Sequence, residues 1–406
     1  MDEIYLTCPR LTPFGFPRIF VMPNGTDSIR ETLGVLRAHA DAAGIRHLRI
    51  VVEPTGIYGE LFLNIASALG FETAFVNGEH VNKMRVLIFG DTGKTDRRDA
   101  EAINAVVSSG RMIVDRRRSF PEVYELLRNW GTLYQAAEDG IIESKARVHR
   151  AMRLFFPDFD FGKDFLYGPS GQAILRTTEL DPHAIAPYSP SRLLERLRHH
   201  SRIRRSSVER LIATARTSAT STPTGERHEY LRIQLANAFE DVALHERRRA
   251  AARSKLESLY DEARAVDPRL PAPVFGVVSK IGLARLFSEL GPITDFESLR
   301  QVLRYGGLNL RERQSGRYRG ITRIARRGRP QLRRILNQLA LPLVRKGCLF
   351  GTYYARKTAV EHMPGPKAMT AVSRKVLKMI WGWYHSGRAF DAARVFQCHT
   401  AQAPAA

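Results

Sequence analysis

The stretch from His47 to Asn77, HLRIVVE-PTG-IYGELFLNIASALG-FETAFVN, constrains the fold more than any other part of the chain. A short β-branched apolar run ends in the carboxylate of Glu53, and the breaker Pro-Thr-Gly follows. Apolar residues then recur at helical spacing (Tyr58, Leu61, Phe62, Ile65, Ala66, Leu69) as far as Gly70, which stands where a C-cap belongs. FETAFVN, 71–77, completes strand, helix, strand within about thirty residues, the length of a parallel βαβ unit, so the N-terminal third reads as α/β. Upstream, EIYLTC (3–8) and RIFVMP (18–23) read as two antiparallel strands, and TDSIRETLGVLRAHADAAG as a helix capped by Thr26 or Asp27.

The rest of the chain carries helical periodicity. Leu126, Leu127, Trp130, Leu133, Ile141, Ile142, Val148 and Met152 mark a long helix over 120–156, which ends at FFPDFDFG. A second runs over 226–265, after the loop TSATSTPTG (217–225), and together they predict an antiparallel arm or coiled-coil pair. DPRLPAP (267–273) is a Pro-rich joint, and beyond it short Gly-punctuated helices continue to about residue 391. The expected organisation is an α/β domain over 1–115, a helical arm over 116–270, a helical C-terminal domain over 271–395 and a tail over 396–406.

Lys and Arg number 63 against 41 Asp and Glu, a net charge of +22, which calls for a polyanionic partner. Nucleic acid is the usual one, because basic side chains neutralise phosphates and release condensed counterions. There is no apolar run of membrane-spanning length, no signal-peptide pattern and no basic amphipathic terminal helix, so a membrane partner is not expected and the cytoplasm is. Cys8, Cys348 and Cys398 are far apart and lack ligand spacing, which disfavours a disulfide framework and a zinc site. Residues 300–346 hold 14 Arg or Lys and one acid, Glu312; an ordinary solvated face would mix in more acids, so this segment reads as a phosphate-binding surface. PVFGVVSKIGLARLFSEL (273–290) has the look of a helix-hairpin-helix, a signal it shares with a helix-turn-helix core connection. LNLRERQSGRYRGITRIARRGRP is loop-like, with Gly316, Gly320 and Gly328 allowing close approach of backbone to a ligand. The helix that follows is expected to turn Arg333 and Arg334 outward, and Val376, Met379, Ile380 and Trp383 form a later stripe that reads as core.

Within GDTGKTDRRDAEAIN (90–104), Asp96 and Asp99 lie three residues apart and share one helix face. Two such carboxylates repel unless a cation sits against them, and a hard divalent ion such as magnesium or manganese would serve. Glu53, at the end of a parallel strand where α/β sheets bind ligands, is the natural third ligand. The alternative is structural: Asp96 as an N-cap and Asp99 as a first-turn acid complementing the helix dipole.

VVEPTGIYGELFLNIASALGF, VN and GKTDRRDAEAI resemble the N-terminal domain of insertion-sequence transposases of the "one-ten" family, whose RuvC-like, RNase H-type domain carries a DEDD acidic set. The family's strand-end Glu and K-T-D-x-x-D-A pattern fall on Glu53, Lys94, Thr95, Asp96, Asp99 and Ala100. Residues 274–336 resemble its C-terminal transposase domain, in the expected order. The resemblance implies a DNA transposase or recombinase with a composite site: Mg²⁺ on Glu53, Asp96 and Asp99, and a covalent serine–DNA intermediate on Ser315 of RQSGRY. It further implies DNA partners, a structured guide RNA and a homo-oligomer in which the arm is the contact. The nucleic-acid-binding residues expected are Lys94, Arg311, Arg313, Gly316, Arg317, Arg319, Arg323, Arg326, Arg327 and Arg333. One departure stands out. The family opens on a G-I-D-x-x-K strand bearing the first acid, whereas this sequence starts with Met1 and Asp2 at the second strand, and Asp2 aligns poorly as a substitute. A RuvC-type junction nuclease, with metal-activated water as nucleophile, and an inactive nucleic-acid-binding remnant are the rival expectations.

Overall fold

The computed structural model describes residues 3–53, 59–90, 93–110, 112–114, 122–162, 164–198, 203–311, 314–315, 318–319 and 323–396, with 112–114, 311, 314–315 and 318–319 known by backbone alone. Packing divides the chain into two units, 1–119 and 120–406.

In the first unit β1 (Glu3–Leu6) and β2 (Phe20–Pro23) pair antiparallel, Tyr5 opposite Val21, as their sequences predict. Helix α1 (Thr26–Ala42) begins from Gly25 in extended backbone, and no side chain caps it, so neither Thr26 nor Asp27 is the cap. Asp27 sits instead in the first turn, where its charge favours the helix dipole. Strands β3 (Arg49–Val52) and β4 (Glu72–Val76) run parallel across α2 (Glu60–Ala68), Ile50 opposite Thr73, which is the βαβ unit read from the sequence. Strand β5 (Met112–Val114) pairs antiparallel with β4, and among the described residues this three-stranded ladder is separate from the β1–β2 pair. Phe16, Ile29, Leu33, Ile50 and Phe62 form the core between α1, α2 and the strands.

Two helices follow β4. Helix α3 (Gly78–Phe89), capped by the Asn77 side chain, has no counterpart in the sequence reading. The reason is its composition: only Val81 and Arg85 are buried along it, while Leu87 is 79% exposed, so no apolar stripe marks it. Helix α4 (Asp96–Ser108) starts at Thr95, whose side chain accepts the Arg98 N–H.

The second unit is helical. Helix α5 (Glu122–Phe155) leads through α6 to α9 (Pro169–Thr178, Pro182–Ile185, Pro190–Arg198, Arg205–Ala219) to α10 (Glu226–Val266). Arg249 pairs with Glu138, the His245 ring rests on Gly140 and Arg147 pairs with Asp241, so partners descend one helix as they climb the other and the two long helices are antiparallel. At one end of this arm α6–α9 bury Phe155, Ile174, Leu193, Leu211 and Leu235. At the other, Leu127, Leu256 and Tyr260 enter a core shared with α11 (Lys280–Leu290), α12 (Leu299–Tyr305), α13 (Pro330–Leu343), α14 (Gly351–Ala355) and α15 (Gly365–Ser386). Val376, Met379, Ile380 and Trp383 are buried there, as expected of a core stripe.

Two expectations change. Within 273–290 there is one helix, α11; the preceding residues form a tight hairpin in which Val274 and Val278 exchange backbone hydrogen bonds around Gly276, and the helix before it is α10. Ser315 lies in a strand, where a loop was expected. β6 (Leu310–Arg311) pairs with β9 (Arg323–Ile324), and β7 (Gln314–Ser315) with β8 (Tyr318–Arg319), two nested antiparallel ladders of one ribbon whose registers are offset by one residue. No helix among the described residues is long and apolar enough to cross a membrane.

Candidate functional site

The acids of the first unit occupy three settings. Glu53 follows the last residue of β3, and its Oε1 lies so close to Gly78, at the first turn of α3, that a Cβ there would come within 2.5 Å of it. Asp96 is the first residue of α4 and exposed, as is Lys94 just before the cap. Asp99, one turn on, is nearly buried: its side chain is 14% exposed, and its Oδ1 lies 2.7 Å from Nε of Arg85, itself 7% exposed. The approach angle is too poor for a hydrogen bond, so both atoms are ion-paired yet lack hydrogen-bond partners.

Asp96 and Asp99 thus do share the start of one helix, but Thr95 is the cap and a guanidinium already stands against the inner carboxylate. An arginine thus stands beside Asp99, where the sequence reading expected a divalent cation. Arg85 was out of sight in the sequence because α3 was. Among the described residues no three His, Cys, Asp or Glu side chains gather closely enough to hold a metal ion. The Asp99 oxygen with no hydrogen bond is the atom a cation would take, and Arg85 takes it. As arranged, therefore, Glu53, Asp96 and Asp99 form no ready-made cage for a divalent ion, and Asp99 could join one only on parting from Arg85.

In the second unit the ribbon carrying Ser315 is fixed at its root. The Ala325 N–H donates to Asn309 O, Arg326 N–H to Gly307 O and Arg329 N–H to Tyr305 O. Gly307, with φ 64°, and Gly328, with φ 142°, cross back to back; a Cβ on Gly328 would lie 2.3 Å from Tyr305 O and 2.5 Å from Gly307 N. Only glycine permits that approach. Arg333 reaches over the crossing from α13 and donates through Nη1 to Gly306 O at 3.0 Å and Gly328 O at 3.4 Å. Arg329 donates to Glu289 at 2.7 Å and lies over the Tyr305 ring.

These bonds revise the expected nucleic-acid surface. Arg333 is half-buried and holds the ribbon root, and burial followed by the Arg326 charge lowers its pKa; it does not face outward. Arg334 is paired with Asp139 of α5 at 2.6 Å. Arg323, Arg326 and Arg327 are exposed and lie on or just below the ribbon. Ser315, Arg311 and Arg319 are placed on it by their backbone, while Arg313, Gly316 and Arg317 lie outside the described residues, as does Asp2.

Two family models match the chain. One, the DEDD type of IS110 transposase, spans residues 20–157 and so includes Glu53, Asp96 and Asp99; a divalent-metal dependence is what that type suggests. The other, described as the transposase IS116/IS110/IS902 family, spans 276–355 and includes the whole ribbon. Together they cover more than half of the chain, in the order in which the two units occur. No curated protein matches the sequence.

Proposed function

The chain belongs to the IS116/IS110/IS902 family of transposases, enzymes that act on DNA, and from that premise we propose that it cuts and rejoins DNA with Ser315 as nucleophile. The observation that carries the reading is the ribbon: a two-ladder projection within the matched C-terminal region, rooted by a glycine crossing, with exposed arginines along its base and Ser315 on its outer ladder. A rigid root costs catalysis little reorganisation, and arginines around the hydroxyl would stabilise charge on the phosphoryl oxygens. In the step proposed, the Ser315 Oγ–P bond forms as one P–O ester bond of the DNA breaks; the hydroxyl proton leaves to a base and the freed DNA oxygen is protonated. A second DNA end then displaces serine by the reverse exchange.

The first unit, which we read as RNase H-like, would supply Glu53, Asp96 and Asp99 to a composite site with Ser315. Mg²⁺ is the cofactor proposed there, and it would supply phosphate polarisation when bound. The present arrangement admits it only after Asp99 parts from Arg85. DNA is the substrate; a structured guide RNA and a homo-oligomer formed through the arm belong to the same proposal, as does a place in the bacterial cytoplasm.

The test is incubation of the full chain with element-end DNA and Mg²⁺, followed by denaturing electrophoresis for protein-linked DNA. The wild type should yield the adduct and Ser315→Ala none. Cleavage by Ser315→Ala at the wild-type rate identifies water as nucleophile, the junction-nuclease reading. DNA binding without cleavage by either protein fits the remnant reading.

A further inference from the structure

A cavity of about 350 Å³ lies in the second unit between α5, α11 and α13, within the size range of small-ligand pockets. Its charges are distributed unevenly. Glu289 receives the Arg329 Nε–H at 2.7 Å, and Asp139 receives Arg334 at 2.6 Å and the Gln135 amide at 3.1 Å. Each carboxylate on the wall thus has its own guanidinium.

Arg285 has none. It lines the same cavity from α11, half-buried between Ala284 and Leu286, both fully buried. Its side-chain hydrogen bond among the described residues runs from Nη2 to the neutral Gln135 Oε1 at 3.1 Å, and its guanidinium rests over the Tyr134 ring at 4.7 Å. No carboxylate among the described residues lies within ion-pair distance of it. Gln135 is held in that orientation because its amide nitrogen is engaged by Asp139. Taking a guanidinium out of water without a directly bonded carboxylate is unfavourable, and burial lowers the Arg285 pKa, outweighing the opposing pull of the Tyr134, Glu138 and Asp139 charges. A charge kept under those terms beside an open cavity is complementary to an anion.

We propose that this cavity binds a phosphate group carried on a nucleotide, with the Arg285 guanidinium as its fork. Guanidinium matches phosphate in bidentate geometry. The chain's net charge of +22 and the 14 basic residues in 300–346 make nucleic acid the anion it meets. The cavity also reaches Arg329, whose backbone N–H is part of the ribbon root, so a phosphate seated there would hold a strand next to the ribbon. The inference rests on the transposase reading only for the source of the phosphate.

Phosphorus NMR and calorimetric titration of the full chain at constant ionic strength test it, with inorganic phosphate, a nucleoside 5′-monophosphate, and short single-stranded DNA and RNA as ligands and chloride as control. The wild type should bind all the phosphate carriers. Arg285→Gln should weaken them about tenfold or more, and Arg285→Lys, which keeps the charge but not the two-pronged geometry, should weaken them less than Arg285→Gln does. Ala136→Leu, which adds bulk to an exposed lining position without touching Arg285, should weaken them too, and serves if Arg285→Gln fails to fold. Absence of phosphate binding by the wild type overturns the proposal, as does Arg285→Gln binding within about twofold of it. Inorganic phosphate bound while nucleotide and oligonucleotides are refused overturns it as well. Phosphate bound through Arg285 by a chain that forms no serine–DNA adduct sinks the transposase step and leaves the cavity's role intact; the converse result does the reverse.

Discussion

Substituting Gly328 by alanine tests whether the crossing of Gly307 and Gly328 fixes the ribbon. Gly328 has φ 142°, and an added Cβ would meet Tyr305 O at 2.3 Å, Gly307 N at 2.5 Å and Arg304 O at 3.0 Å. All three are backbone atoms, and two belong to the turn that ends α12, so no side-chain rotation relieves the clash. Left-handed strain contributes about 1–3 kcal/mol and overpacking about as much again, which gives roughly 2–6 kcal/mol in all. At about 2 °C per kcal/mol for a unit of this size, the melting temperature should fall by roughly 4–12 °C. Gly347→Ala is the control: its φ is 80°, but nothing lies within 4 Å of the added carbon, so it should lose only the backbone term, about 1–2 kcal/mol. Scanning calorimetry of the three chains makes the comparison. A Gly328→Ala shift no larger than that of Gly347→Ala would mean that the ribbon root yields freely, and the rigidity attributed to it would have no basis.

Other outcomes follow from single contacts. Arg85→Ala strands the nearly buried Asp99 carboxylate and should cost about 3 kcal/mol in urea unfolding of the first unit, with Asp99→Asn in the same background restoring part of it; no loss would show the pair to be idle. Asp267 carries an acid-linked contribution to stability: burial acts to raise its pKa, but hydrogen bonds from Arg269 and Tyr384 outweigh it and hold the carboxyl below its ordinary value. That contribution is complete above about pH 4 and lost as pH falls through the lower folded pKa, so wild type should lose more melting temperature between about pH 5 and 3 than Asp267→Asn does; equal losses refute the linkage. Arg323 and Arg326 are exposed beside the ribbon, and removing both should flatten the salt dependence of DNA affinity by about two units of log–log slope; an unchanged slope would place the DNA elsewhere.

Local pattern was enough for much of the architecture. The β3–α2–β4 unit, the β1–β2 pair and the two long helices all follow from residue periodicity and turn signals, because each is held by neighbours in sequence. Family motifs likewise singled out Glu53, Asp96, Asp99 and Ser315 without any coordinates. Helix α3 escaped because a helix that buries only Val81 and Arg85 leaves no stripe to read. The ribbon escaped because its strands are two residues long and are defined by partners, not by composition. Which charges are free was decided by the fold alone. Arg333, Arg334 and Arg285 look alike in sequence, yet one bridges two glycine carbonyls, one answers Asp139, and one is left facing a cavity with no carboxylate of its own. Charge is written residue by residue, whereas neutralisation depends on what long-range packing brings within a few ångströms.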